Sequence, residues 1–219
     1  MTHVRPHPSA LAAGGLFVVL SVLVARNDTV TVDQRVQDVF LPGGRWTHSH
    51  QVASSIPDLV STPRLILGFV LVAAALAAWR RSVKPLLAAG LLVVVTVVAV
   101  LGTKHVIARP DTGGHLGGGS FPSGHMTIVV VSVGGVLLLS LPRTRWWQWV
   151  AVSPVWLGMA GVLLYGDIHW FTDVVGGVLL GWALLGMVAL ITDRAGVSDL
   201  PSTAPAADTA RRARPGAPA

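Results

Sequence analysis

Six apolar runs, separated by polar stretches, constrain this chain more than any other feature. They are Ser9 to Ala25, Leu65 to Trp79, Pro85 to Thr103, about Gly124 to Leu141, Trp149 to Tyr165 and Thr172 to Ile191. Each approaches the ~20 residues that a helix needs to cross a bilayer. Inside hydrocarbon the backbone must satisfy its own hydrogen bonds, so such runs are expected as helices. The makeup agrees: 52% of residues are hydrophobic, 12% are charged and the mean hydropathy is +0.65. The expected fold is all-α, a polytopic membrane bundle of six transmembrane helices over residues 9–191. Residues 1–8 read as a cytoplasmic N-terminal tail. Residues 192–219, an Ala/Pro/Ser/Thr/Arg mixture, read as a disordered cytoplasmic C-terminal tail.

The first run lacks a clear small-residue cleavage site and reads as a span rather than a removable leader. The polar stretch from Arg26 to Arg64 contains Val32, Val36, Val39 and Phe40 at helical spacing, with Asp33, Arg35 and Asp38 between them. That pattern predicts a short amphipathic helix at the membrane surface. A formal charge of +6 raises the question of nucleic acid, but the basic residues flank the apolar runs and act better as topology signals. No nucleic-acid partner is expected. Arg80, Arg81, Lys84, Arg143 and Arg145 fall on the same side as both termini, which assigns that side to the cytoplasm, with the plasma membrane as the default location. Trp79, Trp146, Trp147 and Trp149 suit an aromatic belt there. Membrane lipids are the expected surroundings, and a homodimer is left open.

Two polar islands interrupt this apolar frame. The first, Gly117 to His125, ends in Phe121-Pro122-Ser123-Gly124-His125 just before the fourth run. A proline suits a first helical turn, a serine can cap it, and its unpaired N–H groups can hold an anion. The second island, Tyr165 to Asp173, places His169 four residues before Asp173, a spacing that brings two side chains together on a helix. With six spans both islands open on the outer side. The chain has no cysteine and no glutamate. Thiolate chemistry is excluded, and every acidic side chain is an aspartate. These residues suit cleavage of a phosphate ester by an imidazole nucleophile. His169 would attack, Asp173 would orient its ring, and His125 would protonate the leaving oxygen and then activate water. Lys104 and Arg109, with N–H groups at Ser123 and Gly124, would neutralise the phosphate. The scheme requires no metal and no other cofactor.

Phe121-Pro122-Ser123-Gly124-His125, together with His169, Asp173 and the following Val174-Val175-Gly176-Gly177, resembles the type 2 phosphatidic acid phosphatase (PAP2) family. The resemblance covers roughly residues 9–191. It implies a metal-independent phosphatase acting on lipid phosphates or isoprenoid pyrophosphates. His169 would then be the nucleophile, Asp173 its partner, His125 the acid/base and Ser123 a phosphate ligand. Two family motifs are altered. Lys104 stands too close to Arg109-Pro110 for the first. Val162 and Leu163 occupy the Ser-Arg positions of the third. Arg109, or an outer-loop arginine such as Arg45, is the available substitute. An impaired relative that binds lipid phosphate without cleaving it, and a phosphotransferase, remain as alternatives. His169–Asp173 also fits a plain structural hydrogen bond between spans. Asp111, His115, His125, Asp167, His169 and Asp173 share the outer side, so a divalent metal is a further alternative. Asp167 and His48-Ser49-His50 read as ordinary loop residues.

Overall fold

The computed structural model describes residues 7–114, 119–141 and 144–194. Among these the chain forms eight α-helices: α1 (His7–Ala25), α2 (Val30–Phe40), α3 (His48–Leu59), α4 (Thr62–Trp79), α5 (Lys84–Ile107), α6 (Gly124–Ser140), α7 (Trp146–Tyr165) and α8 (Phe171–Arg194). A 3₁₀ turn at Pro42–Gly44 links α2 to α3. Of the expected tails, all but the residues taken up at the start of α1 and the end of α8 lie outside the described residues, as do His115, Gly117, Gly118 and Arg143.

Four helices are long and apolar enough to cross a bilayer: α4, α5, α7 and the Phe171–Leu190 part of α8. The apolar α1 turns into α2 through a 91° bend, and that pair gives a fifth. The remaining expected span, the fourth apolar run, is α6, which has 17 residues. At 1.5 Å per residue it reaches only about 25 Å, against a hydrocarbon core of about 30 Å. Length and composition therefore give four or five spans rather than six. The shortness of α6 fits its position. It is the central helix, with Met126 and Ile128 to Val131 almost fully buried, and it touches α4, α5, α7 and α8. Its apolar surface meets protein rather than lipid. Around it, Leu11, Leu67, Leu101 and Leu157 are each more than half exposed, as lipid-facing positions of a multi-pass membrane protein should be.

Glycine lets α6 and α8 come together. A Cβ on Gly177 would lie 2.8 Å from the Ser123 carbonyl oxygen and 2.9 Å from Met126 Cβ. Gly181, one turn later, faces Val130 at 2.9 Å. This is the small-residue spacing that allows two membrane helices to touch backbone to backbone. The helix that carries Asp173 and the helix that carries His125 are thereby held as neighbours.

The stretch between Arg26 and Arg64 differs most from expectation. It holds two helices, α2 and α3, rather than one. In α2 the expected apolar face is split: Val39 is 76% and Val32 48% exposed, Val36 and Phe40 are half-buried, and Asp33 is buried. The inward line is Thr29, Asp33, Gln37 and Phe40. His50, expected in a loop, is a buried member of the first turn of α3. Its Nδ1 accepts from the Thr47 N–H at 3.1 Å, its Nε2 donates to the Phe40 carbonyl at 3.0 Å, and its ring stacks on Tyr165 at 4.3 Å. At the opposite end of the bundle, Trp79, Trp146 and Trp147 are exposed as a belt requires. Trp149 instead turns inward, edge-on to Trp182 at 4.7 Å.

Candidate active site

Helix α5 ends with Ala108 in the left-handed conformation, φ 47°, and its N–H bonds the Lys104 carbonyl. The chain then leaves the helix direction, so Arg109 points back over the bundle end. Pro110 supports this exit by disfavouring helix at the residue before it. Lys104, which the sequence placed in the loop, lies on the last turn of α5. Its ammonium donates to the carbonyls of Gly119 and Ser120, the latter at 3.3 Å. Gly119 has φ +74°, and a Cβ there would meet the Lys104 carbonyl oxygen at 2.7 Å, so only glycine lets the strand cross the end of α5 so closely. Lysine has three N–H donors, and these two carbonyls leave one.

Ser123 caps α6: its hydroxyl accepts from the Met126 N–H at 3.3 Å. Pro122 therefore lies one residue before the cap rather than in the first helical turn. The Ser123 N–H, expected to face phosphate, donates instead to the Asp173 carbonyl at 3.0 Å, and Ser123 is fully buried. That bond ties the first polar island to the second. Gly124 opens the helix, with Val100 at 3.8 Å from where its Cβ would be. The His125 ring faces the Pro57 carbonyl at the end of α3, and His169, Lys104 and Asp58 are within electrostatic range of it.

His169 precedes α8 rather than lying on it, yet its Nδ1 is 3.4 Å from Asp173 Oδ2. Asp173 sits in the first turn of α8, where its negative charge suits the helix dipole. Its Oδ2 also accepts from the Trp170 N–H at 3.2 Å, the return half of a capping box. With Nδ1–H directed at the carboxylate, Nε2 keeps the free lone pair. The His169 side chain is 11% exposed and Asp173 is sealed.

Arg109 is used differently from the sequence expectation. One terminal nitrogen donates to Asp173 Oδ1 and Thr172 Oγ, both at 2.8 Å, and the other to Asp33 Oδ2 at 2.6 Å. The guanidinium is 5.3 Å from the centre of the Trp170 ring. It is a buried counterion for two carboxylates. Leu163, in the position where the family motif has arginine, is fully buried in the core. Arg45 is exposed on the loop before α3. Asp167 is not an ordinary loop residue: it has φ 50°, and its carboxylate accepts from Gln37 Nε2 at 2.8 Å. Asp33, Gln37, Thr112, Asp167 and His169 line a water-sized cleft. No three histidine or aspartate side chains converge as metal ligands among the described residues. Asp33 and Thr172 are the site-end residues that the sequence did not single out.

The PAP2 superfamily profile matches residues 9–196. The chain belongs to the PAP2 superfamily. Its structure is similar to the crystal structure of the first transmembrane PAP2 type phosphatidylglycerolphosphate phosphatase from Bacillus subtilis. The TM-score is 0.70 at 19% identity, over 85% of this chain and 96% of that one. This likeness establishes a shared fold between the two PAP2 chains. No curated protein matches the sequence.

Proposed function

We propose that this PAP2 protein is a membrane phosphatase that hydrolyses lipid phosphates or polyprenyl (pyro)phosphates through a phosphohistidine on His169. The observation that carries the reading is the Ser123 N–H to Asp173 carbonyl bond of 3.0 Å, which joins the Pro-Ser-Gly-His turn to the His169–Asp173 pair. In the first step His169 Nε2 attacks phosphorus and the ester P–O bond breaks. His125 gives its proton to the departing oxygen. In the second step His125 takes a proton from water, the resulting hydroxide attacks phosphorus, and the P–N bond breaks to release inorganic phosphate. Asp173 stabilises the charged ring between the steps. Lys104 offers its remaining N–H to the phosphoryl oxygens, with the N–H at Gly124 beside it. Ser123 acts through the cap and its tie to Asp173. The PAP2 relative with this fold is named for phosphatidylglycerolphosphate, so that lipid, phosphatidic acid and a polyprenyl pyrophosphate form the panel to test. Phosphate release by the purified protein in the presence of EDTA is the expected result. Binding without release would favour a second reading, an impaired relative, to which Leu163 and the carboxylate-held Arg109 lend support. Loss of release in EDTA would overturn the metal-free scheme.

The site end is assigned to the outer face by the basic residues near the termini. In intact cells an impermeant thiol reagent should label Asp28→Cys, between α1 and α2, and spare Val83→Cys, between α4 and α5. The opposite labelling would place the site in the cytoplasm.

A further inference from the structure

Asp33 is 1% exposed and lies on α2, far in sequence from both partners of its carboxylate, Arg109 and Thr172. Its Oδ1 accepts from the Thr172 N–H at 2.8 Å. Its Oδ2 accepts from Thr172 Oγ at 2.8 Å and from Arg109 at 2.6 Å. The first of these bonds satisfies an N–H that the opening turn of α8 cannot satisfy by itself, and the carboxylate charge suits that helix end. The last has a subtler effect. Arg109 also binds Asp173, but only through Oδ1; Oδ2 is left to His169 Nδ1 and the Trp170 N–H. A guanidinium facing one carboxylate tends to take both oxygens. Here the pull of Asp33 on the other arm holds Arg109 to a single contact.

We propose that Asp33 is a positioning residue: by sharing Arg109 and pinning Thr172, it keeps Asp173 Oδ2 available to orient and charge-stabilise His169. The proposal rests on His169 being the nucleophile. Neutralising Asp33 lets Arg109 close on Asp173, which weakens the support for the His169 imidazolium. The other charged groups facing the ring are Asp173 and Asp167 near it in the chain, His125 from α6, and Lys104 from α5 beside Asp173.

The test uses the full chain in lipid nanodiscs, with Asp33→Asn as the closest change in shape. Histidine-labelled NMR, with the His169 signal assigned by its loss in His169→Ala, gives the titration midpoint of that ring. It is expected to be lower in Asp33→Asn than in the wild type, as a nearby anion is lost. Turnover at saturating lipid phosphate should fall about tenfold or more while KM moves less than about threefold, the signature of lost transition-state rather than ground-state binding. Asp33→Glu, which keeps the charge, should lie between. A folded Asp33→Asn protein with an unmoved His169 midpoint, or a rise in KM alone, would overturn the proposal. If Asp33→Asn does not fold, Thr172→Val carries the same two measurements, with smaller shifts in the same directions expected and an unmoved midpoint again decisive against it. A wild-type protein that cleaves none of the panel would sink the phosphatase reading, while the His169 titration still decides the effect of Asp33 on the ring.

Discussion

His169→Ala is expected to reduce phosphate release by about 10⁴-fold or more, the usual scale for removing a covalent nucleophile. On the proposed mechanism, alanine removes the atom that would form the phosphoryl bond, Nε2, on the ring whose Nδ1 faces Asp173 at 3.4 Å. That contact is long for a hydrogen bond, as catalytic contacts often are before substrate tightens them. The side chain lies at the rim of the core, 11% exposed, and it meets Arg109 only through Asp173, whose other bonds remain when the ring is removed. Folding and elution of the variant should therefore match the wild type. Radiolabelled substrate should leave a acid-labile phosphate on the wild-type protein in a quenched reaction, and none on His169→Ala. Retention of more than a tenth of the wild-type rate would remove His169 from the nucleophile role.

Arg109→Met should have the largest effect on stability. Methionine matches much of the length of arginine without its charge, and would leave Asp33 and Asp173 facing each other at 1% and 0% side-chain exposure. Removing one partner from a buried ion pair costs about 3–5 kcal/mol, because the remaining charge has lost its compensation. For a chain of this size that is about 10 °C of melting temperature. The measurement is the fraction remaining monodisperse after heating in detergent. The double variant Arg109→Met/Asp33→Asn should recover part of the loss, since one of the two orphaned charges is gone. An unchanged melting temperature in the single variant would show that the guanidinium is not a structural tie.

Much of this site could be read from sequence because its parts are local. Ser123 caps the helix that carries His125 in its first turn, and His169 reaches Asp173 across four residues. The apolar runs placed both islands at one end of the bundle. Lys104 was assigned to a loop because the helix continues for a turn past the last long apolar stretch, to Ile107. Asp33 was missed for a different reason. A search for an apolar stripe finds Val32, Val36 and Val39, and so is drawn toward the exposed Val32 and Val39. The side that matters carries Thr29, Asp33 and Gln37, whose partners Thr172, Arg109 and Asp167 are distant in the chain. A polar line at helical spacing opposite an apolar one was the available clue. Helix α3 escaped notice because it has no long apolar run and Pro57 lies within it.

The contact through Gly177 and Gly181 has a consequence for how a bulky lipid can enter. Two backbones in touch, cross-linked by the Ser123–Asp173 bond, leave no seam that an acyl chain could prise apart without separating the two imidazoles. For the lipid substrate proposed above, that leaves the side of the site away from the α6–α8 seam as the direction of approach, with α2 kept in place by the Asp33 ties to Arg109 and Thr172.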